Sequence, residues 1–322
     1  MTLPILHTGI LRALKLALFL AVLVYVGREL AARLAALPAI ATVVAYPQLF
    51  AGAALATAAS ILYVPIYGQM QRALAIRPSP LAPAVVALVS PVGKYLPGKV
   101  ASLLGAIWIY RRFGVSAGTA TGITLLTGAA NFAAVSLLLL PFIASGAFQR
   151  YDSPWLTWLF PGVWVGGLVL AFPRIFANLL NRVARLAGRP AVALVPRTAP
   201  YLSGVAWSGF QLVLMGGAFW FVARAVSPVA VADWYLLTVS LMVAGTLGFF
   251  AFFAPAGIGV REGLLLLLLR SVIGDSELAL ALILLRVNQV LIEGLLALVG
   301  LVLWRLFQQD QWPGRKRALK GK

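Results

Sequence analysis

The chain has 322 residues, of which 62% are hydrophobic and only 11% charged, and its mean hydropathy of +0.97 leaves too little polar surface for a water-soluble fold. Lys and Arg number 26 against 8 Asp and Glu; the positive charge gathers in connectors 70–80 and 173–200 and in the tail 308–322, as in loops kept at a cytoplasmic face beside anionic lipid, so nucleic acid is not expected as a partner. The chain holds no cysteine, His7 is its one histidine, and no Walker-type P-loop occurs, which excludes disulfides, a histidine metal cluster, a Ser-His-Asp triad and P-loop nucleotide hydrolysis; neither a cofactor nor enzymatic activity is expected.

The first apolar run, Ile10 to Gly27, is followed by Arg28 and Arg33 and by further apolar runs, so it reads as an uncleaved first helix. A second span covers Leu49 to Met70 and ends in a polar basic link with Gln69, Gln71, Arg72 and Arg77. Next come two arms, Leu81 to Val92 and Val100 to Tyr110, around Gly93-Lys94-Tyr95-Leu96-Pro97-Gly98-Lys99. Neither arm reaches the ~20 apolar residues of a full crossing, so they predict a re-entrant helical hairpin broken at Pro97 and Gly98, with one kinked span as the alternative.

A full span follows at Gly114 to Pro141, interrupted by Asn131, and another at Trp155 to Phe172 with two tryptophans placed to anchor an interface. From Pro173 to Gly188 the residues Arg174, Asn178, Arg182, Arg185 and Arg189 recur at helical spacing opposite Ile175, Leu179, Val183 and Leu186. This predicts an amphipathic helix lying on the inner leaflet. The chain re-enters at Leu202 to Ala223. A run from Trp234 to Phe253 then leads into a second break at Pro255, Gly257 and Gly259, followed by the arm Leu264 to Ile273. A last helix spans Glu277 to Phe307, and the basic tail places the C-terminus inside.

The order of elements repeats. Spans near 10, 50 and 114 match spans near 155, 201 and 276, and the breaks at Pro97 and Pro255 also correspond. The expected fold is therefore an all-α integral membrane protein: one membrane domain over 1–322, built as a polytopic helical bundle with two broken re-entrant hairpins. It divides into a first repeat (1–145), a second repeat of opposite orientation (146–307) and a basic cytoplasmic tail (308–322), the plan of many secondary transporters. About six to eight crossings fit, the choice resting on whether Trp234 to Phe253 crosses by itself.

Three groups of polar residues fall inside apolar surroundings, where ionisable side chains are costly and mark function more often than packing. Lys94 and Lys99 bracket the first break, whose second arm presents a helix N-terminus suited to an anion such as a lipid phosphate; snorkelling to the interface is the alternative. Arg261 and Glu262 open the helix after the second break. Glu262 suits that position electrostatically, whereas Arg261 opposes the helix dipole and needs a carboxylate or phosphate partner. Arg286, Gln289 and Glu293 line one stripe of the last helix, and the second hairpin offers Glu262 to Arg286 and Arg261 to Glu293; a packing-only polar network is the alternative. Asn131 is expected to make a plain interhelical hydrogen bond.

At Tyr95-Leu96-Pro97-Gly98-Lys99, followed by Arg111, Arg112, Gly114, Val115 and Ser116, and at Pro255-Ala256-Gly257-Ile258-Gly259-Val260-Arg261-Glu262-Gly263 with Arg286 beyond, the chain resembles the flippase-like membrane domain of bacterial lysylphosphatidylglycerol synthases of the MprF type and their stand-alone YbhN-like and AglD-like relatives. Many relatives carry an acidic and a basic residue where this chain has Thr127-Gly128-Ala129-Ala130-Asn131. The resemblance implies a multi-pass protein of the bacterial cytoplasmic membrane with both termini inside. It also implies movement of a phosphate-bearing or glycosylated lipid between leaflets without ATP hydrolysis, and no synthase activity. The other reading is a non-transporting subunit that binds lipid and presents it to a separate glycosyltransferase or lipid synthase. A soluble-anion transporter is a third. Membrane lipids are the expected partners, and a homodimer is compatible with the sequence.

Overall fold

The structure, a computed structural model, describes residues 44–76, 79–95, 100–151, 154–186, 196–251 and 257–310. The expected first span at Ile10 to Gly27, the break residues Pro97, Gly98 and Pro255, and Lys99, Arg189 and the tail 311–322 lie outside them. All regular structure among the described residues is helical.

Helix α1 (Tyr46–Ile61) passes at Leu62 into α2 (Tyr63–Ala73). Pro65 explains the joint, because it has no N–H to donate to the carbonyl of Ile61. Helix α3 (Leu81–Val89) tightens into a 3-10 turn over Ser90–Tyr95, and α4 (Val100–Arg112) follows. Helix α5 (Ala117–Ala144) opens on Ser116, whose hydroxyl accepts from the Thr119 N–H at 3.2 Å. It runs through Pro141 rather than ending there, since a proline in the last turn removes a single hydrogen bond.

Helix α6 (Pro154–Leu170) turns by 94° into α7 (Pro173–Leu186). The last helices are α8 (Thr198–Arg224), α9 (Trp234–Phe250), α10 (Val260–Leu269) and α11 (Asp275–Asp310). Among the described residues five stretches are long and apolar enough to cross a bilayer: Tyr46–Ala73, Ala117–Ala144, Thr198–Arg224, Val231–Phe250 and Asp275–Leu306, and the bent pair α6 with α7 would add a sixth. The chain is thus a multi-pass helical membrane protein. The run beginning at Trp234 belongs to a helical stretch of full crossing length, whereas Leu81–Tyr95, expected from the order of elements to be its equivalent, is a shorter apolar helix.

Two large apolar cores, and a small one of Ala56, Ala218 and Ile292, form along the long helices. One large core joins the C-terminal halves of α5 and α8 with the first half of α6, with α9 and α10 and with the start of α11, around Leu139, Phe160, Phe219 and Leu265. The other joins α2, α3 and α4 to the N-terminal parts of α5 and α8 and to Trp304 near the end of α11. Burying these side chains against one another fixes how the helices pack, because outside the bundle they would meet lipid that is equally apolar. Helix α11 has 36 residues, or ~54 Å at 1.5 Å per residue. Its contribution to the first core ends at Leu285 and to the second is Trp304, so the stretch Arg286 to Glu293 lies between them.

Candidate functional site

Three elements deliver the charged residues to that middle stretch. Lys94 comes from the 3-10 turn after α3, Arg261 and Glu262 from the first turn of α10, and Arg286, Gln289 and Glu293 from α11. The start of α10 follows from its glycines: Gly257 has φ +71° and Gly259 φ +85°, a backbone open to residues without a Cβ. The turn they make lets the Gly259 N–H donate to Glu262 Oε2 at 2.9 Å, which caps the helix. The other oxygen of that carboxylate, Oε1, accepts from Arg286 Nε at 2.6 Å. One side chain therefore both starts α10 and ties it to α11.

Glu293 takes a different partner from the one expected. Its Oε1 accepts from Lys94 Nζ in an ion pair that joins the turn after α3 to α11 across the sequence. The same oxygen accepts from Gln289 Nε2 at 3.1 Å, and Gln289 Oε1 accepts from Arg261 Nη1 at 3.2 Å. Arg261 thus reaches Glu293 only through the neutral amide of Gln289. Among the described residues it makes no ion pair, and its Nε is buried without a hydrogen-bond partner. Oε2 of Glu293 is also buried and unbonded.

Taken together, Lys94, Arg261 and Arg286 meet the carboxylates Glu262 and Glu293, a cluster with one cation in excess among the described residues. Side-chain exposure is 29% for Lys94 against 11% for Glu293, and 17% for Arg286 against 24% for Glu262. These charges are screened from water but not sealed from it. Among the described residues one guanidinium N–H of the cluster thus has no acceptor, and a charged donor left unpaired in a shielded site is costlier than a neutral one.

The expected pair Arg286 with Glu262 is present, and Arg261 lies within reach of the Glu293 carboxylate only through Gln289. Sequence reading missed Tyr63 and Tyr95 as neighbours: both hydroxyls lie within electrostatic reach of Glu293, and Lys94 Nζ sits 5.2 Å from the centre of the Tyr95 ring. Tyr63 lies on α2, far away in sequence, and a tyrosine in an apolar helix carries no signal of which helix it will face. Gln71, expected in a polar link, is buried and donates from Nε2 to Tyr110 Oη at 2.9 Å. Asn131 donates to Gln211 Oε1 at 3.4 Å, an α5–α8 interhelical bond away from the cluster. Arg174, Arg182 and Arg185 are exposed along α7 and do not join the site. Compared with models of protein families and with curated protein sequences, the chain matches none.

Proposed function

We propose that the protein is a lipid flippase or scramblase that moves a phosphate-bearing or glycosylated lipid between leaflets without hydrolysing ATP. The observation that carries this reading is Arg261, held at the mouth of α10 with its Nε buried and unpartnered, in a cluster whose cations outnumber its carboxylates. A lipid phosphate is the oxyanion that a membrane supplies in bulk, and Arg matches its geometry with a fork of donors. Two ion pairs that link three separate elements provide contacts that a headgroup could exchange: Lys94 can leave Glu293, and Arg286 can leave Glu262, when phosphate oxygens take their place.

The reading includes several finer points. The turn at 90–95 and the turn at 257–259 belong to two re-entrant hairpins of an inverted repeat, α7 lies flat on the inner leaflet with Arg174, Arg182 and Arg185 toward headgroups, and the membrane is the bacterial cytoplasmic membrane with both termini inside. The 94° bend before α7 and its separation of arginines from Ile175 and Leu179 support the surface placement. The likeness to the MprF-type membrane domain belongs to the same proposal.

Reconstituted into vesicles, the protein is expected to move a labelled anionic phospholipid or lipid-linked sugar between leaflets, and Arg261→Ala and Arg286→Ala to slow this at least tenfold. Folded variants that move every lipid tested as fast as the parent protein would show that the cluster is not the headgroup site. Stable co-purification with a glycosyltransferase or lipid synthase, together with no translocation, would favour the presenting-subunit reading instead.

A further inference from the structure

A groove of about 570 Å³ opens between α5, α6 and α9, apart from the charged cluster. Thr246 supplies the one hydroxyl of its lining, and Trp155, Trp158 and Phe250 stand at its mouth with 55%, 75% and 52% of their surfaces exposed. A cleft with so few hydrogen-bonding groups does not retain water, so within a bilayer its occupant is apolar.

Gly162 and Gly166, one helical turn apart on α6, line the groove. Glycines in membrane helices commonly let a second backbone approach closely. Gly167 does this: a Cβ there would run into the Phe132 carbonyl and the Ser136 hydroxyl. At Gly162 and Gly166 a Cβ would meet nothing within 4 Å among the described residues, so none of these neighbours requires their smallness and its effect is to hollow the surface. Their spacing is also that of a helix-dimer motif. Trp158, however, continues the same row one turn earlier and projects outward, and Phe132 stacks on Phe250 at 5.4 Å between ring centres along another wall. Such bulk keeps a second helix backbone from lying flat on the glycines, while a thread as thin as an acyl chain passes between the rings.

The groove and the cluster share a wall. Thr246, Leu247 and Phe250 of α9 line the groove, and between them Gly248 packs on α10, where its Cβ would come 3.3 Å from Cβ of Arg261. A lipid whose phosphate is at Arg261 must lead its tails out sideways, and this is an apolar hollow one helix away.

We infer that the groove holds an acyl chain of the same lipid whose phosphate-bearing headgroup engages Arg261, which makes the lipid site bipartite; the inference rests on the functional reading above. The test uses the full protein in vesicles with a phospholipid that carries a photoactivatable diazirine in its acyl chain, and maps the cross-linked peptides. Labelling of residues 154–170 is expected to exceed that of the exposed Leu291, Leu295 and Leu298 face of α11 at least fivefold. Gly162→Leu and Gly166→Leu, whose side chains enter open space, should each reduce the excess to the level of that face, and Arg261→Ala should lower it at least threefold. Equal labelling of the two regions overturns the inference. So does an excess that persists in the leucine variants, or in Arg261→Ala, when each keeps the parental unfolding transition. The chain has no cysteine of its own, so Gly166→Cys also gives a unique thiol: an efficient disulfide to a second copy, or to a cysteine placed within residues 10–27, would show a helix in the groove and overturn the assignment. A tail-labelling excess in a protein that translocates no lipid supports the groove and overturns only the translocation reading.

Discussion

Glu293 and Glu262 illustrate how a carboxylate behaves differently according to what else it satisfies. Glu293 accepts from Lys94 and Gln289 with one oxygen and leaves the other unbonded, so replacing it strands a cation. Breaking a shielded pair from one side costs more than removing both charges together. Glu293→Gln is therefore expected to destabilise the protein by ~2 kcal/mol, discounted from the range for fully buried pairs because Lys94 is part-exposed, and the double variant Lys94→Met with Glu293→Met to recover most of the loss. Thermal unfolding in a mild detergent checks this, and additive losses in the double variant would show that the pair is not coupled. Glu262 does two jobs, accepting from Arg286 and from the Gly259 N–H. Glu262→Gln retains an acceptor for the cap, so Glu262→Ala should be the more damaging by about 1 kcal/mol, the usual worth of a helix cap.

The elements that carry the site are short and are placed by their turns. At the start of α10 both Gly257 and Gly259 have positive φ, but their surroundings differ: a Cβ on Gly257 would lie 2.9 Å from the Gly248 carbonyl, while one on Gly259 meets nothing within 4 Å. Gly259→Ala bears only the penalty of ~1–3 kcal/mol for a sparsely populated backbone region, whereas Gly257→Ala adds to its own positive φ a collision with α9. The expected order of unfolding temperatures is parent, then Gly259→Ala, then Gly257→Ala, with lipid translocation lost more fully in the last. Equal effects would mean that the α9–α10 contact does not position Arg261. Much of the element layout was legible in the order of residues. The amphipathic helix at 173–186 follows from arginine spacing alone, and the turn at 257–259 from two glycines beside Arg261. The joint at Leu62 was not legible, because membrane helices also run on through prolines, as α5 does at Pro141 and α6 at Pro161.

For the whole molecule the question is what surrounds it. Leu291, Leu295, Leu298 and Val302 form an exposed row along α11, with 64% and 61% of the surface of Leu295 and Leu298 accessible. On a water-soluble protein, exposed leucine to lysine would change stability by less than about 0.5 kcal/mol. In a membrane helix a lysine near the centre costs ~3 kcal/mol on insertion scales. Leu295→Lys and Leu298→Lys are therefore expected to lower the inserted fraction in a membrane-insertion assay several-fold. Unchanged insertion would mean that this row faces a watery surface. The two large apolar cores lie on either side of the charged cluster along α11, which packs against both α3 and α10.

Composition and hydropathy alone determine that the chain is helical and multi-pass, because a backbone in hydrocarbon must satisfy its own hydrogen bonds and a span needs a fixed length of apolar residues. They also single out Lys94, Arg261, Glu262, Arg286, Gln289 and Glu293 as costly in that setting. The pairing of Arg286 with Glu262 was legible there too, but the partner of Glu293 was decided only by the tertiary structure. Lys94 and Glu293 stand 199 positions apart, and periodicity reports the face of a helix without naming the helix it will face. The full-length helix at Val231–Phe250 against the short Leu81–Tyr95, and the hollow left by Gly162 and Gly166, are likewise outcomes of packing, since a glycine reads the same in sequence whether a neighbour fills the space beside it or leaves it open.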